Sequence, residues 1–101
     1  VYDTDGRLFI TSRDTNSQSP TAGHWVAWVG SFENLENGGE GEYRLRLSDN
    51  QHSWDCAYPG VQCLPDGTIF TATYGHWDAG EQPYIRGVHL DLAFIENQYI
   101  N

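Results

Sequence analysis

The chain has 101 residues, with 14 acidic side chains against five basic ones, all of them Arg, for a formal net charge of −9. A surface of that sign repels phosphate, which sets nucleic acid and anionic membrane aside as partners. Its hydrophobic fraction of 39% and aromatic fraction of 14%, with four Trp and no Met, describe a folded, aromatic-rich chain the size of one small domain or two supersecondary repeats.

In chain order, VYDTDGRLF lies already inside strand-like sequence, carries no signal-peptide pattern and reads as the start of a mature, trimmed or partial chain. RLFITSR (7–13) is the first predicted strand. A polar loop with Pro20 and Gly23 follows, then HWVAWVGSF (24–32), aromatic and β-branched. ENLENGGEGE (33–42) has the Gly, Asn and Glu content of a loop. YRLRLS (43–48) alternates Arg with Leu, as a strand with one wet face does. After a turn at DNQHSWDC comes PGVQCL (59–64), then a tight turn at PDG (65–67), then TIFTATYG (68–75). HWDAGEQP is a loop, and YIRGVHLDLAFI (84–95) is a last long strand, broken or not near Gly87. No segment holds a sustained helical period or is apolar for long enough to span a bilayer, so the prediction is all-β with antiparallel neighbours.

Cys56 and Cys63 bracket CAYPGVQC. A hairpin about Pro59-Gly60 lets them bridge, and one extended strand keeps them apart as two half-buried thiols, the reading preferred here.

Asp5-Gly6 and Asp66-Gly67 are 61 residues apart, and each is followed by an aliphatic residue and Phe. That spacing suits a four-stranded β-propeller blade with generous loops. Two blade-like units, roughly 1–55 and 56–101, then form one β domain, with YRLRLS closing the first and PGVQCL opening the second. The Gly-His-Trp triplets at 23–25 and 75–77 lie at different distances from their turns and do not count toward the repeat.

The run from Tyr58 through Pro59-Gly60-Val61-Gln62-Cys63-Leu64-Pro65-Asp66-Gly67-Thr68-Ile69-Phe70 to Tyr74 resembles a strand-turn-strand segment of the sialidase superfamily of six-bladed propellers. RLFITSRD is similar to the hairpin of another blade. SPTAGHWVAWVGSF through YRLRLSDN is similar to sialidase-like proteins of bacterial polysaccharide degradation. The Asp-box, Ser-x-Asp-x-Gly-x-Thr-Trp, is absent, and SDNQHSW (48–54) is its nearest echo. Two blades are a fraction of a propeller. Closure requires further sequence or copies of this chain in a ring, about three for six blades, which makes a homo-oligomer one expectation.

The resemblance puts Tyr58 at the position of a tyrosine nucleophile activated by a neighbouring Glu. The competing role is a Tyr that caps a strand and bonds backbone, which the sequence alone favours. Arg13, with Asp14 beside it, matches loosely an arginine that grips a substrate carboxylate, or is a surface ion pair. His76 is the candidate for proton transfer. Tyr74 and Trp77 join it as substrate contacts, with Trp25, Trp28 and Trp54 as further stacking surfaces or core fillers. Arg44 and Arg46 form a positive stripe or a solvated face. His24, His52 and His89 show no ligand spacing, and neither metal nor cofactor is expected.

Three functions follow. The chain is a carbohydrate-active enzyme or part of one, a glycosidase on an acidic sugar or a uronate lyase. Alternatively it is a non-catalytic sugar-binding module, or a structural β domain that has lost both roles. A propeller site gathers residues from several blades, so whether two alone turn over substrate is left open. An extracellular or periplasmic location follows if the glycan-degrading ancestry holds.

Overall fold

The computed structural model describes residues 1–52 and 54–100. Six strands and two helices follow one another as β1 (Leu8–Arg13), β2 (Trp25–Gly30), α1 (Phe32–Glu36), β3 (Tyr43–Ser48), β4 (Gly60–Cys63), β5 (Ile69–Gly75), β6 (Tyr84–Leu90) and α2 (Leu92–Tyr99). They form two antiparallel meanders, β1-β2-β3 and β4-β5-β6. The sheets are three-stranded where four strands were expected; a bridge from Tyr2 to Leu8 on the free side of β1 adds a trace of a fourth to the first sheet.

The two Asp-Gly turns are built alike. The Asp3 amide donates to Arg7 O and the Gly6 amide to Asp3 O, while 61 positions later the Leu64 amide donates to Thr68 O and the Gly67 amide to Leu64 O. Both glycines are left-handed, with φ of 80° and 88°, a conformation that costs any side chain with a Cβ. The strands keep the same register beyond the turns. Leu8 pairs with Gly30 as Ile69 pairs with Leu90, and Ser12 pairs with Val26 as Thr73 pairs with Arg86. The likeness extends past the strands, because Ser31 caps α1 and Asp91, 60 positions on, caps α2.

Both helices correct the prediction. Phe32–Glu36 is one helical turn inside sequence that reads as a strand end and a loop. The Ser31 hydroxyl accepts from the Asn34 amide, which makes this turn worth forming. The last strand ends at Leu90 and does not continue to residue 95. Asp91 accepts the Phe94 amide and starts α2, which turns Leu92 into the core with Ile95 packed beside it. Gly87 does not break β6, since it pairs with Ala72 in an uninterrupted ladder. No helix of the described residues is long and apolar enough to cross a membrane.

The sheets pack face to face. Phe9, Ala27 and Val29 from the first sheet meet Ile69 from the second, and Leu92 of α2 closes the cluster. One end is fastened by charge: Arg7 reaches Asp3 at 2.9 Å and Glu96 of α2 at 2.8 Å, and Glu96 also accepts the Tyr43 hydroxyl. Burial works against the Arg7 cation, but these carboxylates outweigh it and hold its pKa above the ordinary value.

The other end is fastened by Asn50, which is 8% exposed. Its amide donates to His24 Nδ1 at 2.8 Å, its side-chain nitrogen to His52 O and Gly23 O, and its side-chain oxygen accepts from the His76 amide. The two Gly-His-Trp triplets therefore meet across this residue, although they are not equivalent in the repeat. Trp25 and Trp77 pack with ring centroids 5.6 Å apart and planes tilted by 32°, and Trp77 lies so close over Gly75 that a Cβ there has no room. Cys56 is free and buried and Cys63 free and half-buried, with no bridge between them.

Replacing Asn50 with Ala leaves the part-buried His76 amide without a partner, while the His52 carbonyl keeps only the Asp55 amide. Gly23 O keeps only the Cys56 thiol. The expected loss is about 1–3 kcal/mol, read as a lowered urea midpoint by tryptophan fluorescence with an unchanged m-value.

Candidate functional site

The register places the end of β1 beside the start of β2, Arg13 opposite Trp25, and the end of β5 beside the start of β6, Gly75 opposite Tyr84. With Trp25 packed against Trp77, both strand ends face one rim of the molecule. The loop that leads into β4 crosses this rim and brings Asp55 to the end of β5.

That loop holds both non-glycine residues with positive φ found among the described residues, Trp54 at 61° and Ala57 at 67°. Each such residue costs roughly 1–2 kcal/mol, so the surroundings must hold the loop in place. Arg13 does so by donating one guanidinium nitrogen to the carbonyls of Trp54 and Cys56. Cys56 also bridges to Gly75, and the Ala57 amide reaches Tyr74 O.

The product of this constraint is the position of Asp55. One carboxylate oxygen accepts the Tyr74 hydroxyl at 3.0 Å and the other lies 2.7 Å from His76 Nε2. Hydrogen bonds from His76 first and Tyr74 second hold the Asp55 carboxyl below its ordinary pKa, so it is an anion and accepts only. It follows that His76 donates from Nε2 to Asp55, the arrangement by which a carboxylate orients a histidine for proton transfer. The His52 ring lies 4.7 Å from that of His76, and beside the pair opens a cleft of about 280 Å³ bounded by Gln51, Asp78, Glu81 and Pro83.

Tyr74 and Tyr58 share the next stretch of rim, with ring centroids 6.2 Å apart and planes 18° from parallel. The same bond that orders Tyr74 raises its pKa, because ionising it would set a phenolate against Asp55. Tyr58 is 76% exposed; its backbone amide is held by Thr73 Oγ1 while its hydroxyl makes no hydrogen bond within the described residues. It therefore lacks both the carboxylate partner expected of a nucleophile and the backbone bond expected of a strand cap.

The remaining expected residues are distributed differently. Arg13 is on the rim but spends one nitrogen on the strained loop, and its buried Nε has no partner. Asp14 makes no ion pair with it. The Asp14 carboxylate organises the following loop, accepting the Asn16 amide and the Thr21 hydroxyl. Although burial pushes its pKa up, bonds from Ser19, Thr21 and Asn16 prevail and hold it low. Trp77, expected as a stacking surface for sugar, is instead 4% exposed, packed on Trp25, with its indole nitrogen donating to Tyr84 O. Arg44 and Arg46 are exposed on the outer face of the first sheet, with Arg46 3.5 Å from Asp49.

Asp55, His52 and Asn50 carry much of this geometry and were not singled out from the sequence. The one signal available was a carboxylate three residues before Tyr58; nothing in the spacing ties it to His76, 21 positions later. Among the described residues no three His, Cys, Asp or Glu side chains converge as a metal site.

Asp55→Asn is expected to return the Tyr74 titration, followed by phenolate absorbance, toward that of an ordinary tyrosine. The stability that Asp55 lends is complete above the ordinary carboxylate pKa and is lost as pH falls through its lowered folded value. The difference in melting temperature between wild type and Asp55→Asn should therefore shrink through that acidic window and remain constant at neutral pH.

No family model matches the chain, and no curated protein or solved structure matches it either.

Proposed function

We propose that this chain is a pair of blade units of a β-propeller of the sialidase-like kind, and that its rim engages an acidic glycan, with His76 and Asp55 as the proton-handling pair. The observation that carries the reading is the Asp55 carboxylate, held by a strained loop against both His76 and Tyr74 beside the exposed ring of Tyr58. Preorganised carboxylate–histidine pairs at a concave, aromatic-flanked rim suit sugar hydroxyls and exchangeable protons. The blade reading is supported by the equal turns, register and helix caps of the two units.

The chain's own charge of −9 repels an acidic sugar, so such a ligand needs a local cation. Arg13 supplies it at this end of the sheets, with the guanidinium nitrogen not committed to the loop. Proton abstraction or delivery falls to His76. Tyr74 is held protonated and Tyr58 has no base beside it, which disfavours a tyrosine nucleophile acting within this chain alone. That same feature favours the second reading, glycan binding without turnover.

Titration of the isotope-labelled chain with sialylated and uronic-acid oligosaccharides, and with a neutral oligosaccharide as control, separates these readings. Shifts at Tyr58, Tyr74 and His76 with the acidic sugars only are expected, weakening with added salt. If product forms, His76→Ala should lower turnover by about 10²- to 10⁴-fold and Tyr58→Phe should lower it much less. Binding without product leaves the binding module, and the absence of both sinks the glycan reading.

A further inference from the structure

The contact between the two sheets is made by faces that are not equivalent in the repeat. The first sheet uses the face of Phe9, Ala27 and Val29, and the second uses the face of Ile69, Thr71 and Val88. By register, Phe9 corresponds to Phe70 and Trp25 to Ile85, and these lie on the other face of the second sheet, pointing away from the first. Ile69 and Val88 correspond to Leu8 and Trp28, on the outer face of the first sheet. The faces equivalent to the internal interface are thus unused on the opposite sides of the molecule: Phe9 and Trp25 have apolar counterparts in Phe70 and Ile85, while Ala27 and Val29 are replaced by Gly87 and His89.

Both spare faces have the character of interface. On the second sheet, Ile85 is 74% and Phe70 43% exposed, two apolar side chains on one face with Ala72 and Gly87 between them, in a chain otherwise rich in carboxylates. On the first sheet, Val26 and Trp28 floor a groove of about 620 Å³, walled by the loop that Asp14 organises and flanked by Arg44 and Arg46. One side protrudes and the other is hollow. A head-to-tail contact of this kind is heterologous: it does not use itself up, and its repetition ends only when the rotation closes a ring.

We infer that the Phe70–Ile85 face docks into the Val26–Trp28 groove of a second copy of this chain, repeating between molecules the packing already made within one. The inference rests on the repeat and on the continuity of its interface, and it needs neither the glycan reading nor a closed ring. Because each copy carries a net charge of −9, association is opposed by repulsion at low ionic strength and strengthens as salt screens it.

Sedimentation equilibrium of the wild-type chain, over a range of protein and salt concentrations, is expected to show masses above 11.4 kDa that grow with both. Two variants then test the geometry, Ile85→Glu on the protruding face and Val26→Glu in the groove, each checked for its fold by near-ultraviolet circular dichroism. Either alone should remain a monomer at concentrations where the wild type associates. Mixed in equal amounts they should form a dimer and nothing larger, since the two variants have between them only one intact groove and one intact protruding face. A wild type that stays at 11.4 kDa throughout overturns the inference. So does a single variant that still self-associates like the wild type, or a mixture that stays monomeric when both variants are folded. A wild-type mass that stops at three copies supports closure into a ring, whereas continued growth supports the face pairing and counts against the ring.

Discussion

Asn50 is the constraint on which the arrangement of this molecule depends. A single buried carboxamide, with its own backbone amide, answers four groups from three different segments, the two Gly-His-Trp triplets and the turn at His52. Because its donors and acceptor point in different directions, only one relative placement of the triplets satisfies them all. That placement sets Trp25 on Trp77 and holds the His76 backbone, and through it the imidazole that meets Asp55. Packing at Phe9 and Ile69 supplies the driving force for bringing the sheets together. The polar junction decides the alignment in which they come to rest.

Two kinds of order are superposed in the chain. One is the repeat, visible in the turns, the strand register and the capped helices. The other is local to the rim, where the units differ: Arg13 stands where the second unit has Tyr74, and the strained loop of Trp54 and Ala57 leads into the second unit. The shared features build the sheets, and the differences build the site. The arginine of the first unit restrains the loop that introduces the second, so the candidate site is a product of their contact and belongs to neither unit alone.

What was legible in the sequence follows the same division. Strands were readable because side chains alternate between a wet and a dry face, as in YRLRLS, and the Asp-Gly turns because glycine is needed where the backbone is left-handed. Helix α1 was hidden because one turn is too short to show a period. Helix α2 was hidden because LDLAFI continues the apolar run of β6, with Asp91 as the only mark of a boundary. His76 and Tyr74 were found by residue type, but their partner Asp55 was not, since a contact between residues so far apart exists only once the sheets are packed. Trp77 was misplaced for a related reason: a tryptophan beside a loop reads as exposed until a second tryptophan from another unit covers it.

Cys56 gives the junction a chemical reporter. Its thiol is fully buried, donates to Gly23 O, and burial pushes its pKa up, so in the closed molecule it is both inaccessible and poorly nucleophilic. Reaction with an alkylating reagent must wait until the loop lifts from the triplet of the first unit. The rate of capture of this sulfur is then a clock for the lifting of that loop.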